Sequence, residues 1–321
     1  MIRVGVDGAI GEEFLREFTR TVELVRIEDA PQREIEVDFW CASIYADRAQ
    51  RQWKMLRGVK VVQSLYAGVD SLLRWLPREV TLCDARGVHD IPMAEWAVGA
   101  MLAMQKYFPF YMELQRKADW DGREQAEKIY LMSRPGVAGY APPVLIDELA
   151  EATVLIVGYG SIGAAIEERL KPFGVKVLRV ARTKREGVHA LGELDALIPQ
   201  ADIVCMILPN TSETRGLMSA ERIGLMKPGA LLVNAGRGST VDQDALVAAL
   251  NARKIRAALD VVDSEPLPAA HPLWRAPNLL LTPHVAGDTE RFMRRALKLA
   301  SEQAERFARG AQLLNVVSGE Y

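Results

Sequence analysis

The sequence predicts an α/β protein made of two doubly wound parallel sheets. Three observations carry that prediction. The chain has 321 residues, about twice the usual single domain, so each half is large enough to bury its own core. Short β-branched runs alternate with helical patterns, the signature of a parallel sheet with crossover helices. The alternation also breaks once, from Asp119 to Glu151, and then resumes.

The elements follow in chain order. IRVGV, from Ile2, is a strand; a helix follows from about Glu12, then the strands VELVRI and IEVDFW, a helix near Arg48 to Leu56, and the strand VKVVQSL. VTLCDA leads through GVHDIP into a long apolar helix, MAEWAVGAMLAMQKYF, opened by Pro92 where a missing N–H costs nothing. The segment from Asp119 to Glu151 contains RPGVAGYAPPV, whose Pro and Gly density predicts a surface linker or flap. TVLIVG, a helix from Ile162 to Phe173, VKVLRV, a short helix around Leu194 to Ile198, DIVCMIL, ALLVNA, a helix from Asp244 to Asn251, IRAALDVV and NLLLT form the second sheet. Thr289 to about Arg309 has helical periodicity, and LLNVV reads as a short strand or extended tail.

Composition narrows the function. The apolar share is 49% and the charged share 26%, with 40 Lys+Arg against 42 Asp+Glu and a net charge of −2. That is ordinary globular composition, and it argues against nucleic acid as a partner, which wants a broad basic face. Cys41, Cys83 and Cys205 form no metal-ligand spacing and leave one thiol over in any disulfide scheme, so buried thiols in a reducing cytosol are expected, and no metal. MIRVGVDGAIGEEF carries charge too early for a signal peptide, and no apolar run approaches the roughly 18 residues of a membrane span. The expectation is a soluble cytoplasmic protein without a membrane partner.

The strand TVLIVG runs into Gly158, Tyr159, Gly160, Ser161, Ile162 and Gly163 and then a helix, the context in which GxGxxG binds a dinucleotide. Gly158 makes the turn, Gly160 lets backbone approach a pyrophosphate, and Gly163 lets helix and sheet pack closely. The helix N-terminus offers N–H groups and partial positive charge. The next strand, VKVLRV, lacks the acidic residue that accepts ribose hydroxyls and ends in Ala181, Arg182, Thr183, Lys184 and Arg185. A basic turn at that place can clamp a 2′-phosphate, so NADP(H) is expected over NAD(H), which stays possible. A solvated basic turn is the alternative.

Downstream, VNAGRG puts Arg237 just after a strand, at the carboxyl edge where open α/β sheets bind ligands. With LYAGVD at Leu65 to Asp70, GVHDIPMAEW, GYGSIG, LPNTSETRGL at Leu208 to Leu217, DSEPLP and TPHVAG in this order, the chain resembles the D-isomer-specific 2-hydroxyacid dehydrogenases over nearly its whole length, in particular those that reduce glyoxylate or hydroxypyruvate. The resemblance implies Rossmann-like and flavodoxin-like domains with a cleft between them. It assigns 1–100 and 287–321 to a discontinuous substrate-binding domain, and 101–286 to the NAD(P)-binding domain. It implies a catalytic set of Arg237, Glu265 and His284. His284 is the proton donor in reduction, Glu265 orients its ring and favours the protonated form, and Arg237 offers a planar fork to the substrate carboxylate. Taken singly, each has an ordinary structural reading, and Asp263 is a rival to Glu265.

The resemblance also gives the substrate carboxylate to the loop of Leu65, Tyr66, Ala67, Gly68 and Val69, with Tyr66 as an alternative lid of the pocket. It places Leu208, Pro209, Asn210, Thr214, Ala235, Gly236 and Gly287 beside the cofactor and Asp260 on the nicotinamide carboxamide. Glu95 and Trp96 are expected in interdomain packing, and His89, His189 and His271 in structural roles. The substrate implied is a small 2-keto acid, and the shortness of the chain speaks against the longer phosphoglycerate dehydrogenases. Other readings are a formate- or phosphite-type dehydrogenase on the same scaffold and an NAD(P)-sensing corepressor-like binding protein. The apolar run Met93 to Met104, with Tyr107, Phe108 and Phe110, is read as a homodimer face or, alternatively, as a helix buried within one chain.

Overall fold

The computed structural model describes residues 1–19, 21–134 and 143–318. In chain order the first strands and helices are β1 (Ile2–Asp7), α1 (Glu12–Leu15), β2 (Val22–Ile27), β3 (Ile35–Glu36), β4 (Phe39–Cys41), α2 (Ala46–Met55), β5 (Leu56–Arg57), β6 (Val61–Gln63), α3 (Asp70–Leu73) and β7 (Thr81–Cys83). Next come α4 (Asp90–Gln105), α5 (Phe108–Arg116), α6 (Gln125–Ser133), β8 (Thr153–Val157), α7 (Ser161–Leu170), β9 (Lys176–Ala181), β10 (His189–Ala190), α8 (Leu194–Leu197) and β11 (Ile203–Met206). The chain closes with α9 (Ala220–Leu225), β12 (Leu231–Asn234), α10 (Gln243–Asn251), β13 (Arg256–Leu259), β14 (Leu279–Leu281) and α11 (Phe292–Ala308). It divides into two compact units, Met1–Asp90 with Asp288–Tyr321, and Ile91–Gly287.

The first unit is a parallel sheet in the order β2-β1-β4-β6-β7. The central strands β4 and β6 are buried on both faces, which is why they read as largely apolar runs, while the edge strand β2 keeps exposed charged positions. Phe39, Cys41 and Val61 face α11 through Phe292, Leu297, Ala300 and Ala304, while Trp40 and Val62 face the opposite core with Leu72 and Ala49. The tail follows the sheet edge: Val316 bridges Cys83 antiparallel, and Val317 N–H donates to Leu82. Gln303, fully buried on α11, bonds Gln63 Oε1 at 3.2 Å and the Leu314 carbonyl at 2.6 Å, tying helix, sheet and tail together.

The second unit is a parallel sheet in the order β10-β9-β8-β11-β12-β13-β14. The chain runs outward from β8 to β10, then returns to β11 on the other side, so the switch point lies between β8 and β11. Ligands of open α/β sheets bind at such a point, beyond the carboxyl ends of the strands. Val154, Ile156, Ile203, Cys205 and Leu231 face a core shared with Ile166 and Leu170 of α7. Leu155, Val157, Val204, Met206 and Leu232 face α10 through Leu246 and Leu250.

Several expectations are corrected by the structure. IEVDFW is two strands rather than one, because Ile35 to Val37 bond β5, with Val37 N–H on the Arg57 carbonyl, whereas from Asp38, whose N–H bonds the Arg3 carbonyl, the chain pairs with β1. The helix expected to run through Phe108 stops at Gln105; Tyr107 is left-handed at φ 52°, and α5 starts anew with Pro109 in its first turn, the helical position proline tolerates. The segment read as linker holds helix over Asp121–Glu124 and Gln125–Ser133, where good helix formers bury Ala126. Most of RPGVAGYAPPV lies outside the described residues. The domain limit drawn at 100/101 falls inside α4, whose Ala94, Ala97, Val98, Met101 and Met104 belong to the core of the second unit. The apolar character of α4 is thereby accounted for within the chain. All three cysteines are free and fully buried. Among the described residues no helix is long and apolar enough to cross a membrane, and no group of His, Cys, Asp and Glu is arranged to hold a metal.

Candidate active site

The fingerprint loop follows β8. Gly158 is left-handed at φ 100°, and a Cβ there would stand 2.2 Å from the Ile207 carbonyl oxygen, so no other residue fits between the ends of β8 and β11. Gly160 caps α7, and a Cβ on it would meet nothing within 4 Å. Backbone and helix terminus thus border open space, the arrangement a pyrophosphate needs. Gly163 packs against Ile156 and the Gly158 carbonyl, and Ile162 lies against the core. Ser161 is the first residue of α7. The Tyr159 hydroxyl donates to Glu167 at 2.6 Å, and Glu167 also accepts from Arg179 Nε at 2.7 Å.

The basic turn after β9 is less uniform than its sequence. Arg185 folds back to bond the Tyr159 carbonyl at 2.5 Å, and Lys184 pairs with Glu193 at 3.3 Å. Arg182 stands directly after the strand, largely exposed beside Thr183, and pairs with Glu213 at 3.6 Å. Such a surface pair is weak, so Arg182 is the cation of this turn most open to an incoming phosphate. The residues present therefore fit a dinucleotide carrying a 2′-phosphate.

The three residues of the catalytic expectation come together. His284 Nδ1 lies 2.6 Å from Glu265 Oε2, and Val262 N–H donates to Glu265 Oε1 at 3.1 Å. The hydrogen bond to Glu265 lifts the pKa of His284 above the ordinary imidazole value, against burial and the repulsion of Arg237. Burial, the largest influence on Glu265, pushes its carboxyl up, but the bonds from His284 and Val262 and the charges of His284 and Arg237 together bring it below the usual value. The pair thus stabilises the fold most between the lowered carboxyl and the raised imidazole, losing Glu265's share as pH falls through the first and His284's as pH rises through the second. Arg237 donates to the Gly236 carbonyl at 3.0 Å. The chain on either side of Arg237 is held closely, since a Cβ at Gly238 would stand 1.9 Å from the Val262 carbonyl carbon and one at Gly236 would stand 2.5 Å from Leu208 N.

Sequence reading missed Asn234, Thr240 and Thr282, and the part that Asp260 and Trp96 play, in holding this set. Asn234, fully enclosed at the end of β12, donates to the Arg237 carbonyl at 3.1 Å and accepts from Gly236 N–H at 3.0 Å. Thr240 donates to the same carbonyl at 2.7 Å. Asp260, 2% exposed, accepts from Thr282 Oγ1 at 2.6 Å and from the N–H groups of Val285 and Ala286 at 2.9 Å each. Its own carbonyl accepts the His284 N–H at 2.7 Å. This clamp keeps His284 at φ 55°, a left-handed conformation that needs support from its surroundings. Trp96 Nε1 donates to Thr282 at 3.1 Å, which ties the start of α4 to the clamp, and Glu95 pairs with Arg169 at 3.6 Å. The carboxylate of Asp260 thus builds the loop that carries His284.

The remaining residues fall as follows. Thr214 is buried, and its hydroxyl donates to the Pro209 carbonyl at 2.6 Å and accepts from Thr211 N–H at 2.9 Å, closing the loop that contains Asn210. Leu208 and Ala235 are buried, and Gly287 ends the second unit. In the first unit, Leu65 and Val69 are buried in the cores on opposite faces of the sheet, and Tyr66, Ala67 and Gly68 between them are half-buried. The Tyr66 N–H is engaged by Ser64 Oγ at 3.0 Å, so that amide is not free for a ligand. His189 bonds Glu193 at 2.8 Å, and His271 caps a turn through Leu273 N–H and bonds Gln243 at 3.0 Å; both are structural.

Residues 98–286 match the family model described as D-isomer specific 2-hydroxyacid dehydrogenase, NAD binding domain. The chain is 32% identical to glyoxylate/hydroxypyruvate reductase A of Citrobacter koseri, over 74% of either chain. Its fold matches an NADPH-dependent glyoxylate/hydroxypyruvate reductase of Sinorhizobium meliloti, solved with NADP and sulfate, at a TM-score of 0.80 and 26% identity, over 99% of this chain and 98% of the other. It also matches a D-isomer specific 2-hydroxyacid dehydrogenase of Xanthobacter autotrophicus, solved with NADPH and MES, at a TM-score of 0.77 and 29% identity, over 99% and 98% respectively.

Proposed function

The chain belongs to the D-isomer specific 2-hydroxyacid dehydrogenase family, and from that membership we propose that it reduces a small 2-keto acid of the glyoxylate or hydroxypyruvate kind to its D-2-hydroxy acid, with NADPH preferred over NADH. The observation that carries this reading is the 2.6 Å pairing of His284 with Glu265 beside the charge of Arg237. A bound nicotinamide dinucleotide supplies the hydride. The chain's own residues do the rest. His284, with Nδ1 held by Glu265, gives a proton from Nε2 to the developing alkoxide. Arg237 binds the substrate carboxylate and polarises the carbonyl beside it. The stretch Tyr66 to Gly68 is assigned to the same carboxylate, and Gly158 to Gly163 to the pyrophosphate.

The relatives from Sinorhizobium and Xanthobacter were solved with NADP or NADPH, and Arg182 supports the same choice here. A panel of 2-keto acids followed at the nicotinamide absorbance, with each cofactor, tests the assignment. Turnover of glyoxylate or hydroxypyruvate is expected, with higher kcat/KM for NADPH. Arg182→Ala is expected to raise KM for NADPH about tenfold, the value of one charge-assisted contact, and to leave KM for NADH nearly unchanged. A wild-type preference for NADH removes the cofactor assignment.

A homodimer is the proposed assembly. Its support is the pair Phe108 and Met112, one helical turn apart on α5 and 54% and 49% exposed, more than isolated apolar side chains require. Light scattering should give twice the chain mass, and Phe108→Glu with Met112→Glu should give monomer. A monomeric wild type contradicts the proposal.

A further inference from the structure

His89 lies in the GVHDIP stretch just ahead of α4 and has no part in the chemistry above. The residue is 7% exposed, and its Nε2 is buried without a hydrogen-bond partner among the described residues. A polar ring atom left so is a cost that its surroundings must justify. Burial, with Arg295 nearby, pushes its pKa down to about 4, so the ring is neutral under working conditions.

What surrounds it is aromatic. His89 stacks on Tyr66 at 5.4 Å between centroids with 16° between planes, and lies 4.8 Å from Phe292. Tyr66 also stacks on Phe292 at 5.0 Å and 15°. The three rings thus form one cluster, which draws on the loop after β6, the segment after β7 and the first residue of α11. Two further bonds fix its back: Arg295 Nε of α11 donates to the Val88 carbonyl at 3.0 Å, and Ala85 N–H donates to the Tyr66 carbonyl at 3.0 Å. Tyr66 itself stands between Leu65 and Val69, the two core anchors of the stretch assigned to the substrate carboxylate.

We propose that His89 is a positioning residue for this stretch, its ring holding Tyr66 against Phe292 so that residues 66–68 keep the shape that receives the substrate. The proposal rests on the keto-acid reductase reading for its kinetic consequence, and on the ring geometry alone for its structural one. The ring's flat shape does the work, not its nitrogen atoms. A planar apolar ring therefore replaces it, and a small side chain does not.

Two variants test this. His89→Ala should raise KM for glyoxylate about tenfold, with kcat and the Kd of NADPH little changed, because what is lost is ground-state and transition-state binding alike. His89→Phe should restore KM, and its Tm should not fall below wild type, since the orphaned nitrogen is gone. Amide hydrogen exchange over residues 64–69 should be faster in His89→Ala and native in His89→Phe, whatever the protein turns over. The proposal is overturned by native exchange in His89→Ala, or by a Phe variant as impaired as the Ala variant in exchange. Absence of keto-acid turnover by wild type refutes the reductase reading alone and leaves the exchange result to decide this one.

Discussion

His284→Ala is expected to lower kcat for keto-acid reduction by about 10³-fold and to leave NADPH affinity intact, the range for loss of a positioned general acid. The backbone adds a complication that a second variant resolves. His284 sits at φ 55°, and alanine resists that conformation more than asparagine does. His284→Asn therefore keeps the loop with less strain and still lacks the proton. Equal losses in both variants assign the effect to chemistry; a much milder loss in Asn assigns part of it to the loop. Unchanged turnover in both removes His284 from the mechanism. The pH profile gives the sign independently. Because Glu265 raises the pKa of His284, reduction should fall as pH rises through that elevated value. Glu265→Gln removes the acceptor's charge, so the fall should move to lower pH. A profile that stays in place would show that Glu265 does not set the proton affinity of His284.

Arg237→Ala is the second large effect. One positioned donor at a developing oxyanion is worth about 10²–10³-fold, and the proposed role of the same guanidinium in anchoring the carboxylate adds to it, so a loss in kcat/KM of about 10³-fold or more is expected. Arg237→Lys restores charge but not the planar fork, and should recover only part of the loss. Steady-state kinetics with a separate measurement of NADPH affinity distinguish this from damage to the cofactor site. Full activity in Arg237→Lys would show that charge alone suffices.

The parts of this site that sequence revealed are those written locally. GYGSIG is legible because strand, turn and helix follow one another, and Arg237, Glu265 and His284 because each lies in a short motif of fixed order. The holders of these residues are not local. Asn234 looks like the end of a buried strand, and Thr282 like a residue before proline; only the fold shows that one grips the chain at Arg237 and the other joins Trp96 to Asp260. Asp260 was visible as a residue, but its direction was not, since the same carboxylate that can meet a cofactor is bonded to Thr282, Val285 and Ala286. The helix α6 was obscured by the proline-rich stretch beside it, which dominates any composition taken over the whole segment.

The covering of the first sheet by α11 sets an order on biosynthesis. β1 to β7 leave the ribosome early, yet one of their two apolar faces is closed by Phe292, Leu297, Ala300 and Ala304, and their edge by Val316 and Val317. The whole of the second unit is made in between. Nascent chains that normally mature from the amino end inward must here hold a half-covered sheet until the whole second unit and then α11 have been made.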